Sequence, residues 1–281
     1  MPAHATDSRP MLRVNDVTET STRSVDQFDR VVVEAPLAIS VDQKTLLTTM
    51  RTPGHDEELA VGWLLSEAEI NAPADIISVE RVSASELRHW GVEEESAVDT
   101  VLAELGAGVV PPRPRAYLTS SSCGVCSSDV LATTPKPGVA LHSEDWVITP
   151  QAAHVLIKQM RCEQKMFDLT GSLHAAALAG PDNQLLVVRE DVGRHNAVDK
   201  VLGNAFLEGN FPLTDHILVV SGRVSYEIVT KALSASVAAI VAVSGPTTLA
   251  VDLARAHGLV LIGFTRDDRL NVYSGKERVK L

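Results

Sequence analysis

The spacing of apolar side chains changes period along this chain, and the changes divide it into segments. Residues 30–40 and 45–49 hold short apolar and β-branched runs, which predict two strands joined by a turn. Pro53-Gly54 then interrupts the chain. From 56 to 70 the spacing is helical, with Leu59 and Trp63, and Val61 and Leu65, each four apart. Asp56, Glu57 and Glu58 fill the first turn, where carboxylates favour the positive end of the helix dipole. Residues 83–114 are acidic and then Pro-rich, and predict a connection with one short helix. A second helix is expected over 149–167, opened by Pro150 and lined on one face by Ala153, Leu156, Ile157 and Met160. Residues 174–178 and 184–189 predict two strands around a turn at Gly180 to Asn183.

The last third repeats a unit of apolar strand, polar turn and amphipathic helix. Strands are expected at 185–189, 217–220, 239–243 and 259–263, each followed by a polar turn. Such alternation predicts an α/β fold with a mixed, largely parallel sheet flanked by helices. In open α/β sheets, ligands sit beyond the carboxyl ends of the strands. Glu190, Asp191, Arg194, His195, Arg223 and Arg266 all fall in those turns, so the sequence points to one polar rim.

Composition changes this picture little. The 281 residues are 45% hydrophobic and 22% charged, as in an ordinary globular protein with a core of its own. No run of about 18 apolar residues predicts a membrane span, and residues 1–27 lack the apolar centre of a secretory signal. Residues 1–27 are expected to form a disordered polar tail, 28–116 a smaller N-terminal β-rich and helical subdomain, 117–135 a flexible cysteine loop, and 136–281 the α/β core. The formal net charge of −11 argues against nucleic acid as a partner, while leaving room for a small anion in a local basic pocket.

The three cysteines, Cys123, Cys126 and Cys162, are too few for a disulfide framework and suit a reducing, cytoplasmic setting. Cys123 and Cys126 lie in a Ser- and Gly-rich stretch that is expected to expose both thiols. A persulfide carrier needs such a thiolate, able to enter first a donor site and then a recipient's. A dithiol oxidoreductase, half of a zinc site completed by His174 or Cys162, and an inert loop remain open readings of the same pair. Cys162 reads as helix packing, and His174, on an apolar segment, as a satisfied core histidine. Arg194 suits phosphate and His195 suits proton transfer, although both also suit an ion-pair network at a helix start. Residues Phe264, Thr265, Arg266, Asp267, Asp268 and Arg269 combine a ring, cations and carboxylates. That mixture matches a guanine base, and it also matches a surface turn.

Several stretches are similar to the formate dehydrogenase accessory sulfurtransferases, the FdhD family. They are RTPGHDEELA at 51–60, SCGVC at 122–126, TGSLHAAA at 170–177, REDVGRHNAVDK at 189–200, SGRVS at 221–225 and SGPT at 244–247, in family order. The resemblance implies a sulfur carrier that receives sulfur from a cysteine desulfurase as a Cys123 persulfide. It implies transfer to the molybdenum cofactor in its bis-molybdopterin guanine dinucleotide form, for formate dehydrogenase, with guanosine diphosphate as a mimic of half its nucleotide part. It implies a cytidine-deaminase-like core and a homodimer. It also places the cofactor stretch at 264–269 and gives Cys126 a secondary part; no metal of the protein's own is expected. Ser127 and Ser128 stand where relatives usually have Gly and often Lys, which removes a cation that would favour the Cys123 thiolate.

Two rivals follow from the same residues. A zinc-dependent deaminase-like hydrolase would share the implied fold, but needs His-x-Glu followed by Pro-Cys-x-x-Cys. Here the cysteines precede His174, and no Glu stands at 176. A chaperone that binds the cofactor without moving sulfur would keep the same binding residues.

Overall fold

The computed structural model describes residues 5–15, 23–68, 70–94, 97–112, 114 and 139–281. Strands β1 (Thr6–Asn15) and β2 (Arg23–Val32) pair as an antiparallel hairpin. The expected polar tail is thus strand structure over much of its length. Pro10, Leu12, Val14 and Phe28 share one side with Asp26 and Arg30, while Arg9, Gln27 and Asp29 share the other with Met11 and Val25. Charged residues on both sides hide the strands from a search for apolar runs.

Strands β3 (Ala35–Val41) and β4 (Lys44–Arg51) follow as expected, and then α1 (Asp56–Glu67). The short helix expected after α1 is present, and two strands that were not expected flank it. The stretch contains β5 (Ile76–Val82), the short helix α2 (Ala84–His89) and β6 (Asp99–Leu105). These strands build a four-stranded sheet in the order β4-β3-β6-β5, with β6 parallel to β3. Arg51 is buried and holds one end of this sheet. Its guanidinium donates to both oxygens of Asp56 at 2.9 Å and to Asp99 at 2.8 Å, and Arg81 joins the same two carboxylates.

The expected helix over 149–167 is two helices, α3 (Pro150–Glu163) and α4 (Lys165–Thr170), parted at Gln164, whose φ and ψ are −76° and 64°. Thr149 caps α3 by accepting from the Ala152 N–H at 3.1 Å. Then come β7 (His174–Ala179), β8 (Leu185–Asp191), α5 (Arg194–Leu207), β9 (Ile217–Val220), α6 (Tyr226–Ser234), β10 (Ala239–Ala242), α7 (Thr248–His257), β11 (Val260–Arg266) and β12 (Arg269–Ser274). They form a six-stranded sheet in the order β12-β11-β10-β9-β7-β8. Parallel pairing is confined to β9, β10 and β11; β7 runs antiparallel to both neighbours and β12 antiparallel to β11. The sheet is therefore mixed, with its parallel part in the middle.

Strand alternation assigns the two faces. Ala175, Ala177, Val219, Val241 and Ile262 pack against Ala153, Leu156 and Met160 of α3. Ala176, Leu178, Leu218, Ile240 and Leu261 face a second apolar cluster that includes α5, α6, α1 and the inner side of the four-stranded sheet. The order through the molecule is α3, large sheet, helices, small sheet. Among the described residues no helix is long and apolar enough to cross a membrane.

Helices α1 and α5 touch backbone to backbone. A methyl group at Gly62 would stand 1.9 Å from the Asp199 carbonyl oxygen, and one at Gly203 would stand 1.8 Å from the Glu58 carbonyl oxygen. Beside this contact Arg189 donates to Glu58 at 2.6 and 2.7 Å. Burial alone would raise the Glu58 pKa, but the Arg189 bonds outweigh it and hold the carboxyl at about 2. The stability it contributes is therefore full above the ordinary carboxylate range and is lost as pH falls through about 2.

Replacing Gly203 with Ala should force α1 and α5 apart, at a cost of about 3 kcal/mol or more, the upper end for an overpacked contact. Urea denaturation of Gly203→Ala against wild type measures this; a change below about 0.5 kcal/mol, the ordinary scale for a surface substitution, would contradict the contact.

Candidate functional site

The carboxyl ends of β8, β9, β10 and β11 and the first residue of β7 lie on one edge of the large sheet, because β7 is antiparallel to its neighbours. A cavity of about 540 Å³ opens there. Helices α3 and α4 supply Ile157, Met160, Arg161, Gln164 and Phe167. Leu173 and His174 come from the start of β7, Val192, Ser221 and Val243 from the loops, and Thr265 and Arg266 from β11. Its volume lies within the range of small-molecule sites, about 300–1,000 Å³. None of the lining residues is Asp or Glu, in a chain whose formal net charge is −11. The walls are apolar with a few cations, a composition suited to an anionic ligand with an apolar body.

Arg266 and Thr265 come from the stretch read in the sequence as a turn. In the structure this stretch is the end of β11, and the turn is only Asp267 and Asp268, closed by pairing of Arg266 with Arg269. Asp267, Asp268 and Arg269 are exposed and lie outside the cavity wall. Phe264 has φ of 52°, an uncommon conformation for a bulky side chain. Its ring crowds the Gly245 backbone, where a methyl group would meet Cζ at 2.6 Å. The Arg266 guanidinium lies 5.7 Å from the Phe264 ring centre. Thr265 is fully buried, and its Oγ1 has no hydrogen-bond partner among the described residues. A buried hydroxyl left unpaired in a cavity wall fits a ligand that completes it.

The charged run after β8 separates into distinct tasks. Glu190 accepts from the N–H groups of Met166 and Phe167 at 2.9 and 2.8 Å, and so fixes the start of α4; burial pushes its carboxyl upward. Asp191 is fully buried. It accepts from the Thr52 N–H at 3.1 Å, the Gly193 N–H at 2.8 Å, Asn196 Nδ2 at 3.0 Å and Lys200 Nζ at 2.7 Å. Asp191 is thus an anchor below the rim. The first two residues of α5 then diverge. Arg194 lies beside His174: a methyl at Gly222 would meet its Cδ at 3.3 Å and the His174 Nδ1 at 3.4 Å. His195 turns toward α6, with Nε2 3.2 Å from Ser225 Oγ and 3.0 Å from Glu227 Oε2, and does not line the cavity. Arg223 is exposed in the loop after β9.

His174 overturns its sequence reading as a satisfied core residue, since it stands half-buried in the cavity wall. Burial, and then Arg194, His195 and Arg223, hold its imidazole below the usual histidine range. Ser221, also in the wall, accepts from the Ala175 N–H at 2.9 Å. Both residues lie in the sequence stretches quoted above, yet only sheet register shows that they share a wall.

Cys123 and Cys126 lie outside the described residues. The ends that flank them sit on the edge away from the cavity. Ala140 and Leu141 accept from Thr214 Oγ1 at 2.9 Å and the Asp215 N–H at 3.0 Å, just before β9 begins. Leu105 ends β6 at the side opposite Thr52 and Asp191, since β6 is parallel to β3 and β3 starts beside Arg51. Cys123 follows Pro114 by nine residues and precedes Val139 by sixteen, so extended chain reaches about 30 Å from one end and about 50 Å from the other. The seven residues of β11 span about 23 Å of sheet. Chain length thus permits travel from edge to edge.

Comparison with known proteins agrees with the sequence. The FdhD/NarQ family model matches residues 32–280. A sulfur carrier protein FdhD from Streptomyces coelicolor is 40% identical over 282 residues, covering 98% of this chain and 96% of the relative. The protein of that name from Mycobacterium tuberculosis is 41% identical, covering 89% and 92%, and that from Sulfolobus acidocaldarius 38%, covering 96% and 98%. A crystal structure assigned as a formate dehydrogenase accessory protein from Desulfotalea psychrophila shares the fold, with a TM-score of 0.71 at 22% identity over 97% of this chain and 99% of that one.

Replacing Asp191 with Asn leaves the buried Lys200 ammonium without its counter-charge. Chemical denaturation should show a loss of about 3–5 kcal/mol, the cost of breaking a buried ion pair from one side.

Proposed function

This chain belongs to the FdhD/NarQ family, and from that premise we propose that it is a sulfur carrier that supplies a formate dehydrogenase cofactor with sulfur. The observation that carries the ligand half of this reading is the cavity at the sheet rim, lined by Arg161, Arg266 and His174, free of carboxylates in its wall, and holding the unpaired Thr265 hydroxyl.

The sulfur half rests on Cys123. Its thiolate attacks the outer sulfur of a persulfide on a cysteine desulfurase. A new S–S bond forms at Cys123, the donor's S–S bond breaks, and the donor cysteine leaves as thiolate. Cys126, three residues on, is placed by sequence to assist release. The cargo is the molybdenum cofactor in its bis-molybdopterin guanine dinucleotide form, bound here as substrate. Arg161 and Arg266 attract its phosphates, Thr265 completes a hydrogen bond, and Phe264 with Arg266 offers a stacking surface for guanine. Asp267 or Asp268, outside the cavity wall, would accept from a base that projects past the rim to the β11–β12 turn. Arg194 at the start of α5 and Arg223 in the loop after β9 lend positive potential beside the cavity, and His195 acts through its contacts with Ser225 and Glu227, which tie α5 to α6. A cytoplasmic homodimer that meets desulfurase and formate dehydrogenase in turn completes the reading.

Incubating the protein with desulfurase and cysteine should add the mass of sulfur reversibly, and Cys123→Ala should lack the adduct. A Cys123→Ala variant that still matures formate dehydrogenase in cells would show that sulfur is not carried there, and would leave a cofactor-binding chaperone.

Guanosine diphosphate at about a hundredfold excess over its Kd should raise the melting temperature by roughly 5–10 °C, by linkage in a chain of this size. Arg266→Ala should shrink that shift. Equal shifts from adenosine and guanosine diphosphates would defeat the guanine assignment.

A further inference from the structure

We propose that binding of an anionic ligand in the rim cavity is linked to uptake of a proton by His174. The inference rests on the reading of this cavity as the site of a phosphate-bearing ligand, and gives one wall residue a proton-dependent part in affinity.

His174 opens β7 opposite Asp191, with which it pairs across the sheet. Its ring stands in the wall with Nδ1 on the Gly222 side, and among the described residues it has no hydrogen-bond partner. Charges face it from each neighbouring element. Arg194 and His195 come from α5, and Arg223 from the loop after β9. Arg161 of α3 and Arg266 of β11 share the cavity wall. The opposing charges are Asp191 of β8, already engaged by Lys200, and Asp168 of α4, which pairs with Arg161 at 2.7 Å. Burial and the surrounding cations lower the imidazole below the ordinary histidine range and so favour its neutral form.

An anion in the cavity reverses that balance. The new nearest charge is negative, so the imidazolium becomes the favoured form. The proton comes from the buffer and settles on a ring nitrogen; no covalent bond is made or broken. The sign follows. His174 titrates at higher pH with ligand than without it, so affinity is greatest at low pH and falls as pH rises through the interval between the two midpoints. The loss cannot exceed about tenfold per pH unit, the limit for one proton. Guanidiniums stay charged in proteins, so the wall arginines supply attraction without the pH dependence.

The probe is guanosine diphosphate on the full chain. Calorimetry near pH 7 in two buffers of different ionisation enthalpy yields the net protons taken up on binding. Wild type should take up more than His174→Gln, whose side chain still hydrogen-bonds but does not titrate. The ligand's own phosphate, with its second pKa of about 6, contributes equally to both proteins and cancels. Independently of any variant, the His174 imidazole of wild type, followed by NMR, should titrate at higher pH with guanosine diphosphate than without. Equal proton counts in the two proteins, or an unmoved imidazole midpoint with ligand bound, overturn the inference while leaving the cavity's function standing. Failure of guanosine diphosphate to bind wild type at any pH overturns both.

Discussion

A carboxylate with no access to water must meet its lone pairs from within the protein, and Asp191 does so with donors from three parts of the chain. Thr52 reaches it from the end of the small sheet, Gly193 from the turn that follows, and Asn196 and Lys200 from α5. The circuit closes on itself: Lys200 also donates to the Thr52 carbonyl at 2.8 Å, and Asn196 to the Met50 carbonyl at 2.8 Å. Two sheets and a helix are thereby fixed relative to one another at a point directly under the rim. The direction in which α5 leaves that point sends Arg194 to the cavity side and His195 to α6. The site's electrostatics are thus set by a group that no ligand would touch.

Much of this was legible beforehand, for physical reasons that differ by element. The units around β9, β10 and β11 were visible because central strands are short apolar runs and their helices keep a 3.6-residue spacing. Strand β6 was not, because Asp99 and Glu104 interrupt it, and their explanation, Arg51 and Arg81 in the case of Asp99, lies far off in sequence. The hairpin of β1 and β2 carries no strand pattern because charged residues fall on both of its sides and its apolar residues, Phe28 among them, are exposed. His174 was misjudged because Ala175, Ala176 and Ala177 beside it are core residues; only its place as the first residue of an antiparallel strand brings it to the rim. Arg161 carried no signal beyond helical spacing, and its role depends on α3 ending over the mouth of the sheet.

The cavity and the flanks of the cysteine segment occupy opposite edges of the large sheet. On the proposed function, loading and delivery are then separated by the depth of the domain. The acid-free wall has a related logic. With a net charge of −11 on the chain, the general field repels an anionic cargo, so attraction must be local, and the guanidiniums of Arg161 and Arg266 at the cavity wall supply it at short range.

The crossing of α1 over α5 extends beyond stability. Because Gly62 and Gly203 let two backbones meet with no side chain between them, the N-terminal and C-terminal portions are fitted to each other at atomic contact, with the Glu58–Arg189 pair beside the crossing. Neither portion has a complete interior alone, and a chimaera that joined one half to a relative's other half would succeed only where both partners kept the bare crossing.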